Sequence, residues 1–246
     1  MLTGPYANCW AMTERGAGAV AREAHHLAIG PSSLAWDGDA LVIHIDETCA
    51  PVPLPIRGVV CVRPEWVGET GFHLDPQGKH RWHPIAPRAR VQVALAHPAL
   101  GWRGSGYLDS NFGEEPLEAG FRDWHWSRAH LRRDVAVLYE GTRAGGEPFE
   151  LALRMDRQGR WDDVPLPPRR ALPRSFWRLE RLTRADADAW PQVERTWVDA
   201  PFYARSQLRT RLYGEDACAV HESLSLPRFC APAVQWMLPF KMPRVA

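Results

Sequence analysis

Apolar residues recur at every second position in stretch after stretch of this chain, and that alternation restricts the fold more than any other feature. In "ALVIHID", Leu41, Ile43 and Ile45 fall on one side of an extended backbone. Val91, Val93 and Leu95 do so in "RVQVALA", and Phe149, Leu151, Leu153 and Met155 in "FELALRM". "SQLRTRLYG" aligns Leu208, Thr210 and Leu212, and "AVHESLSL" follows across the turn Gly214-Glu215-Asp216. Side chains two apart on a strand point the same way, so each stretch predicts a strand with one buried side. Asp37-Gly38 is a hairpin-turn signal just before the first of them. The 22 prolines break long helices and favour strands joined by loops. One short helix is predicted, over "RADADAWPQVE" (184–194), interrupted by Pro191 unless it starts there. The expected fold is all-β, with antiparallel strands in hairpins and meanders.

A chain of 246 residues holds one large all-β domain or two smaller ones. One internal echo favours two: "LDPQGKHRW" (74–82) and "MDRQGRW" (155–161) each end a strand in Asp, turn through x-Gln-Gly and return through a basic residue to Trp. The charged stretch "WSRAHLRRD" (126–134) then marks the expected boundary, giving domains 1–130 and 131–246, the first carrying the site. The run "VPLPPRRALPR" (164–174) reads as a loop with solvated arginines.

Other function classes are disfavoured. A net charge of +1 steers nothing toward nucleic acid. Five cysteines without a CxxC pair read as reduced thiols of a cytosolic protein, with neither a disulfide framework nor a metal site. No apolar run approaches the roughly 18 residues a spanning helix needs, and the start "MLTGPYANCWAMTERG" carries no signal-peptide pattern. His80 and His83 are three apart and face opposite sides of a strand. His125 and His130 lack a third partner, and His25-His26 are adjacent, so zinc is not expected.

Twelve tryptophans supply large aromatic surfaces, whether as core or as pocket walls. Two triplets stand out among them. In His80-Arg81-Trp82 the imidazole and indole share a strand side, and in Tyr107-Leu108-Asp109 the phenol and carboxyl do. If the strands face a common interior, the four converge. A carboxyl lined by aromatic rings is desolvated, which favours its protonated form and makes it a general acid. Aromatic faces beside it stabilise a developing cation. That combination suits protonation of an apolar alkene. Each triplet is also compatible with ordinary strand packing, and Asp109, before Ser110-Asn111, with capping a turn.

The segments "WAMTERG", "HRWHPIAPRARVQVAL", "GSGYLDSNFGEEPL", "FRDWHWSRA" and "VHESLSLPRFCAPAVQWMLPFKMPR" together resemble the acyclic carotenoid 1,2-hydratase family, also called hydroxyneurosporene synthase. The resemblance runs from about Trp10 to the C-terminus. It implies tandem lipocalin-like β-barrels and a cofactor-independent hydro-lyase that adds water across the terminal 1,2 double bond of an acyclic carotenoid of the neurosporene or lycopene type. The family's His-x-Trp and Tyr-x-Asp motifs fall on His80, Trp82, Tyr107 and Asp109. The resemblance implies Asp109 as proton donor, Trp82 and Tyr107 facing the cation, and His80 orienting or deprotonating water, or tuning Asp109. Family members carry a further segment before "WAMTERG", so the first barrel is expected to be incomplete here. Two other readings remain: a non-catalytic isoprenoid-binding protein and an isoprenoid cyclase on the same scaffold. The expected location is the cytoplasm, with peripheral contact to the inner membrane, where so apolar a substrate resides.

Overall fold

The computed structural model describes residues 1–3 and 8–245. It is mostly β, with two large antiparallel sheets and short helices. The all-β antiparallel reading therefore holds. The chain forms two compact units, one of Met1–Val67, Ile85–Asp109 and Gln235–Ala246, the other of Gly68–Pro84 and Ser110–Val234.

In the first unit, strands Val20–Arg22, His26–Ile29, Ser32–Trp36, Leu41–Thr48 and Pro55–Pro64 form a meander. The Asp37-Gly38 turn is closed by Asp37 Oδ1, which accepts the backbone N–H of Asp39 and Ala40 at 3.0 and 2.7 Å. Pro55–Pro64 pairs with the strand His80–His97 in the register Val62↔Val91 and Val60↔Val93. Leu41 and Ile43 pair with the same Val62 and Val60. Partners opposite one another share a side of the sheet, so the alternating apolar residues meet there. Val62, Ala86 and Ala89 form this core, with Leu41, Ile43, Val60, Val91 and Leu108 packed on it.

The second unit is built on a seven-stranded sheet ordered Trp161–Asp163, Pro148–Met155, Val135–Arg143, Phe121–His130, Glu215–Ser225, Tyr203–Leu212 and Gln192–Asp199. The charged stretch 126–134 thus lies in the strand Phe121–His130 and the turn that follows it. From Val135 to Glu140 every residue is buried, so this sheet is covered on both sides. On one side Ala129, Ala136, Leu138, Ala152, Leu208 and Ala219 receive Leu172. On the other, Trp124, Tyr139 and Phe149 stack into an aromatic cluster.

Two local expectations are corrected. The segment 164–174 is no simple loop: Arg169–Ala171 pairs with Leu182–Arg184 as a two-stranded ribbon. Its arginines are engaged, Arg169 with Glu140 at 2.7 Å and Arg170 over the Trp190 ring at 4.7 Å. Glu140 is buried, and a buried carboxylate requires such partners. The segment 184–194 is a strand end, a turn and a new strand from Gln192 rather than a helix. Asp186 turns its carboxylate onto the backbone N–H of Tyr213 and Gly214, both at 2.8 Å, which holds the turn against the hairpin tip. Among the described residues no helix is long and apolar enough to cross a membrane.

Candidate active site

The strand His80–His97 opens with period-2 burial: His80 and Trp82 are enclosed while Arg81 between them is exposed. Both belong to the second unit. Trp82 has no exposed surface. Its ring lies 5.5 Å from Phe72, 5.9 Å from Tyr139 and 6.3 Å from Trp161. Trp82 and Trp161 are the two tryptophans of the hairpin echo, so both copies of the motif deliver an indole to one cluster.

His80 is 2% exposed. Phe121 meets its ring edge-to-face at 4.7 Å. Two glycines approach it from the segment that follows the second triplet. A Cβ on Gly113 would lie 3.0 Å from His80 Cδ2, and one on Gly120 2.4 Å from Cε1. Only a residue without a side chain fits beside the imidazole at Gly120.

The turn before this strand carries a residue that the motif spacing passed over. Asp75 Oδ1 accepts the backbone N–H of Gln77 and Lys79 at 3.0 and 3.1 Å. Gly78 completes the turn at φ +72°. Asp75 Oδ2 accepts the His80 backbone N–H at 2.7 Å and the His80 Nδ1–H at 3.3 Å. Burial alone would raise the Asp75 carboxyl, but the donors from His80, Lys79 and Gln77 outweigh it and hold it below the usual carboxylate range. His80 Nε2 is buried with no hydrogen-bond partner among the described residues.

Tyr107 and Asp109 lie on the strand Leu100–Gly113 and belong to the first unit. Their shared strand side brings the phenol to the carboxyl: Tyr107 Oη donates to Asp109 Oδ2 at 2.9 Å. Leu108 between them packs on the Val62, Ala86 and Ala89 core. Its two neighbours therefore project to the opposite side of the strand, half-buried. The structure thus makes two pairs of the four residues: His80 with Trp82 in an aromatic enclosure, and Tyr107 hydrogen-bonded to Asp109.

A polar cleft of about 250 Å³ is lined by Glu69, Gly71, Arg81, His83, Ser110 and Phe112, all of the second unit. Arg81 and His83 lie on the strand side opposite His80 and Trp82. The cleft is therefore separate from the imidazole's enclosure.

Chemically, the residues offer a carboxyl with a phenol bonded to it, a buried imidazole held by a second carboxylate, and a dense set of aromatic rings. Sequence reasoning missed Asp75, Gly113, Gly120 and Phe121. Asp75 alone left a signal, as the Asp shared by the two echoed turns.

Solved structures with this fold include a putative AttH from Nitrosomonas europaea, at a TM-score of 0.59 and 12% identity, covering 85% of this chain and 71% of that one. CghA with Sch210972 aligns at a TM-score of 0.51 and 12% identity, covering 84% of this chain and 69% of that one. At such identities the likeness establishes the lipocalin-like fold. Sequence relatives say more. The acyclic carotenoid 1,2-hydratase of Thiocapsa roseopersicina is 50% identical over 245 residues, 99% of this chain and 60% of its own length. That of Rubrivivax gelatinosus is 41% identical over 246 residues, spanning 61% of its length. That of Cereibacter sphaeroides is 37% identical over 235 residues, 95% of this chain and 84% of its own length. The chain therefore spans about 60% of the length of the first two relatives. A model of the carotenoid hydratase CrtC family matches residues 2–246, and the chain belongs to that family.

Proposed function

We propose that the protein hydrates the terminal 1,2 double bond of an acyclic carotenoid, as the names of its relatives state for them. The observation that carries the reading is 50% identity to such an enzyme across 99% of this chain, with His80, Trp82, Tyr107 and Asp109 all present. Asp109 protonates C2 of the terminal isoprene unit, leaving a tertiary cation at C1. Water adds to C1 and loses a proton to give the tertiary alcohol. Tyr107, bonded to Asp109, fixes the direction of the acid. Aromatic faces from Trp82 and Tyr107 stabilise the cation, an effect of roughly 0.5–2 kcal/mol for each well-placed ring. His80 receives or orients the water. The residues' own acid–base chemistry accounts for the addition, which involves no net change of oxidation state. A substrate this apolar resides in a bilayer, so the proposal extends to peripheral contact with a membrane surface.

The test is expression in cells that accumulate lycopene or neurosporene, followed by chromatography of the pigments. A new monohydroxylated or dihydroxylated carotenoid is expected. Unchanged pigment copurifying with the protein would replace the reading by that of an isoprenoid-binding protein, and a cyclised product by that of a cyclase.

A further inference from the structure

We propose that Asp75 is the positioning residue of His80, and that the two form a carboxylate–imidazole dyad whose Nε2 takes the proton of the water that adds to the substrate. The inference rests on the hydratase reading and gives that site a residue its two motifs do not contain.

Four donors converge on Asp75, and they divide between its oxygens. Oδ1 takes the backbone N–H groups that close the turn, and Oδ2 takes the main chain and ring of His80. An ionised carboxylate only accepts hydrogen bonds, so the ring nitrogen facing it carries the hydrogen. In the neutral imidazole that selects the Nδ1–H tautomer and leaves the lone pair on Nε2.

The echoed hairpin supplies an internal control. Asp156 Oδ1 accepts the backbone N–H of Gln158 and Arg160 at 2.8 and 3.0 Å, the same turn closure. Its Oδ2 takes the exposed Arg160 side chain at 2.8 Å instead. In both hairpins the turn is closed by one oxygen alone. The second oxygen is free for another task, and in the first hairpin it goes to an imidazole.

The ring is also held in place. Phe121 closes one side, and Gly113 and Gly120 press on the edge that carries Cδ2 and Cε1, the two atoms flanking Nε2. Within this enclosure Nε2 has no hydrogen-bond partner among the described residues. Buried polar atoms are paired as a rule, and an unpaired one calls for an explanation such as a catalytic role or a bound water. A lone pair fixed in place, aimed by a carboxylate and unclaimed by protein, suits the O–H of a water.

The step balances. As the water oxygen forms its bond to C1, one O–H bond breaks, its electron pair stays on oxygen, and the proton goes to Nε2. The imidazolium so formed lies against the Asp75 carboxylate. Its proton returns through solvent to Asp109, which lost one to C2. One water is added and nothing is oxidised or reduced.

The experiment uses the full chain with lycopene in detergent micelles, and compares wild type, Asp75→Asn and Asp156→Asn. It is joined by ¹⁵N spectra of the histidine rings, with His80 assigned by its loss in His80→Gln. In wild type the proton is expected on Nδ1 of His80. Asp75→Asn should lower kcat at least about tenfold, with KM within about twofold, and should shift the His80 tautomer. Asp156→Asn should lower the melting temperature as a lost turn cap does, while keeping kcat. Wild-type kcat in a folded Asp75→Asn protein would reduce Asp75 to a turn cap and overturn the dyad. A proton on Nε2 in wild type would overturn it as well, and that spectrum decides the matter even if Asp75→Asn does not fold. Should the wild type add no water while His80 carries its proton on Nδ1, the proton-acceptor role falls together with the hydratase reading, and the positioning by Asp75 stands.

Discussion

Asp75 and Asp109 both accept hydrogen bonds, Asp75 from four N–H groups and Asp109 from a phenol, and the two are proposed for different work. Asp75 is surrounded by N–H donors, which favour its ionised form and make it an orienting group. Asp109 shares its oxygen with a phenol. Given the general-acid role proposed for Asp109, Asp109→Asn should abolish hydration while leaving the fold intact, because an amide cannot deliver a proton. A loss on the order of a hundredfold or more is expected for a general acid, measured as turnover in a protein whose melting is unchanged. More than about a tenth of wild-type rate would remove Asp109 from that role. The two side-chain pairs were legible because a strand repeats every two residues: spacing alone places Tyr107 beside Asp109 and His80 beside Trp82 on shared sides. Asp75 was not legible in the same way. An Asp opening an x-Gln-Gly turn is fully explained by the turn, and the use of its second oxygen depends on where the returning strand places His80. Gly113 and Gly120 were invisible for a similar reason. The sequence shows two ordinary glycines, and only the packed imidazole makes the missing side chain a requirement at Gly120 and the fit close at Gly113.

At the scale of elements, the aromatic cluster links the first strand of the site to the sheet beneath it. Phe72, Tyr139 and Trp161 surround Trp82 at centroid distances of 5.5, 5.9 and 6.3 Å, and Tyr139 continues the cluster to Phe149 at 5.5 Å and on to Phe121 at 5.4 Å. Removing the indole of Trp82 opens a cavity in this stack. Trp82→Leu should cost on the order of 2–4 kcal/mol of stability, and Trp82→Phe less, because a phenyl ring keeps more of the contacts. The rate should follow the same order if the ring also faces the cation: Trp82→Phe faster than Trp82→Leu, by a difference of roughly 0.5–2 kcal/mol in barrier. Equal turnover for two variants of different stability would make Trp82 a packing residue alone. The strands themselves were readable wherever one side is apolar, as in Leu41–Thr48 or Pro148–Met155. Reading failed where local composition imitates another element. The alanines and aspartates of 184–194 imitate a helix, but Asp186 bonds to a distant hairpin tip instead. The helix Pro232–Lys241 was hidden by the prolines it begins with and contains.

For the molecule as a whole, the second unit stores its acid sensitivity in two histidines on the inner side of its sheet. His221 is fully enclosed, its Nε2–H donates to the Leu182 carbonyl at 2.7 Å, and its ring stacks on His125 at 6.3 Å. His125 Nδ1 lies 2.9 Å from Ser223 Oγ. Burial, aided by the nearby Arg169 cation, pushes His125 down to about 4. Burial also pushes His221 down to about 3, with the Leu182 carbonyl opposing and His125 and Arg181 adding to the effect. An unfolded chain protonates both near pH 6.5, roughly the value for a free imidazole. Below that pH the unfolded state binds protons that the folded state refuses, so stability present above about pH 6.5 is lost as the pH falls toward the folded values. Each such histidine contributes a slope of up to about 1.4 kcal/mol per pH unit within that window. Asp123 works against them, since burial raises its carboxyl and the folded state takes up its proton first on acidification. Asp75 works with them at lower pH, because its donors are lost when it is protonated. Urea unfolding at pH 7.5, 6.5, 5.5 and 4.5 should therefore show stability falling steadily below about pH 6.5. In His221→Gln, where an amide N–H can still reach the Leu182 carbonyl but cannot titrate, the slope between pH 5.5 and 4.5 should be shallower by about 1.4 kcal/mol per pH unit. Identical slopes in the two proteins would place the acid sensitivity elsewhere in the fold.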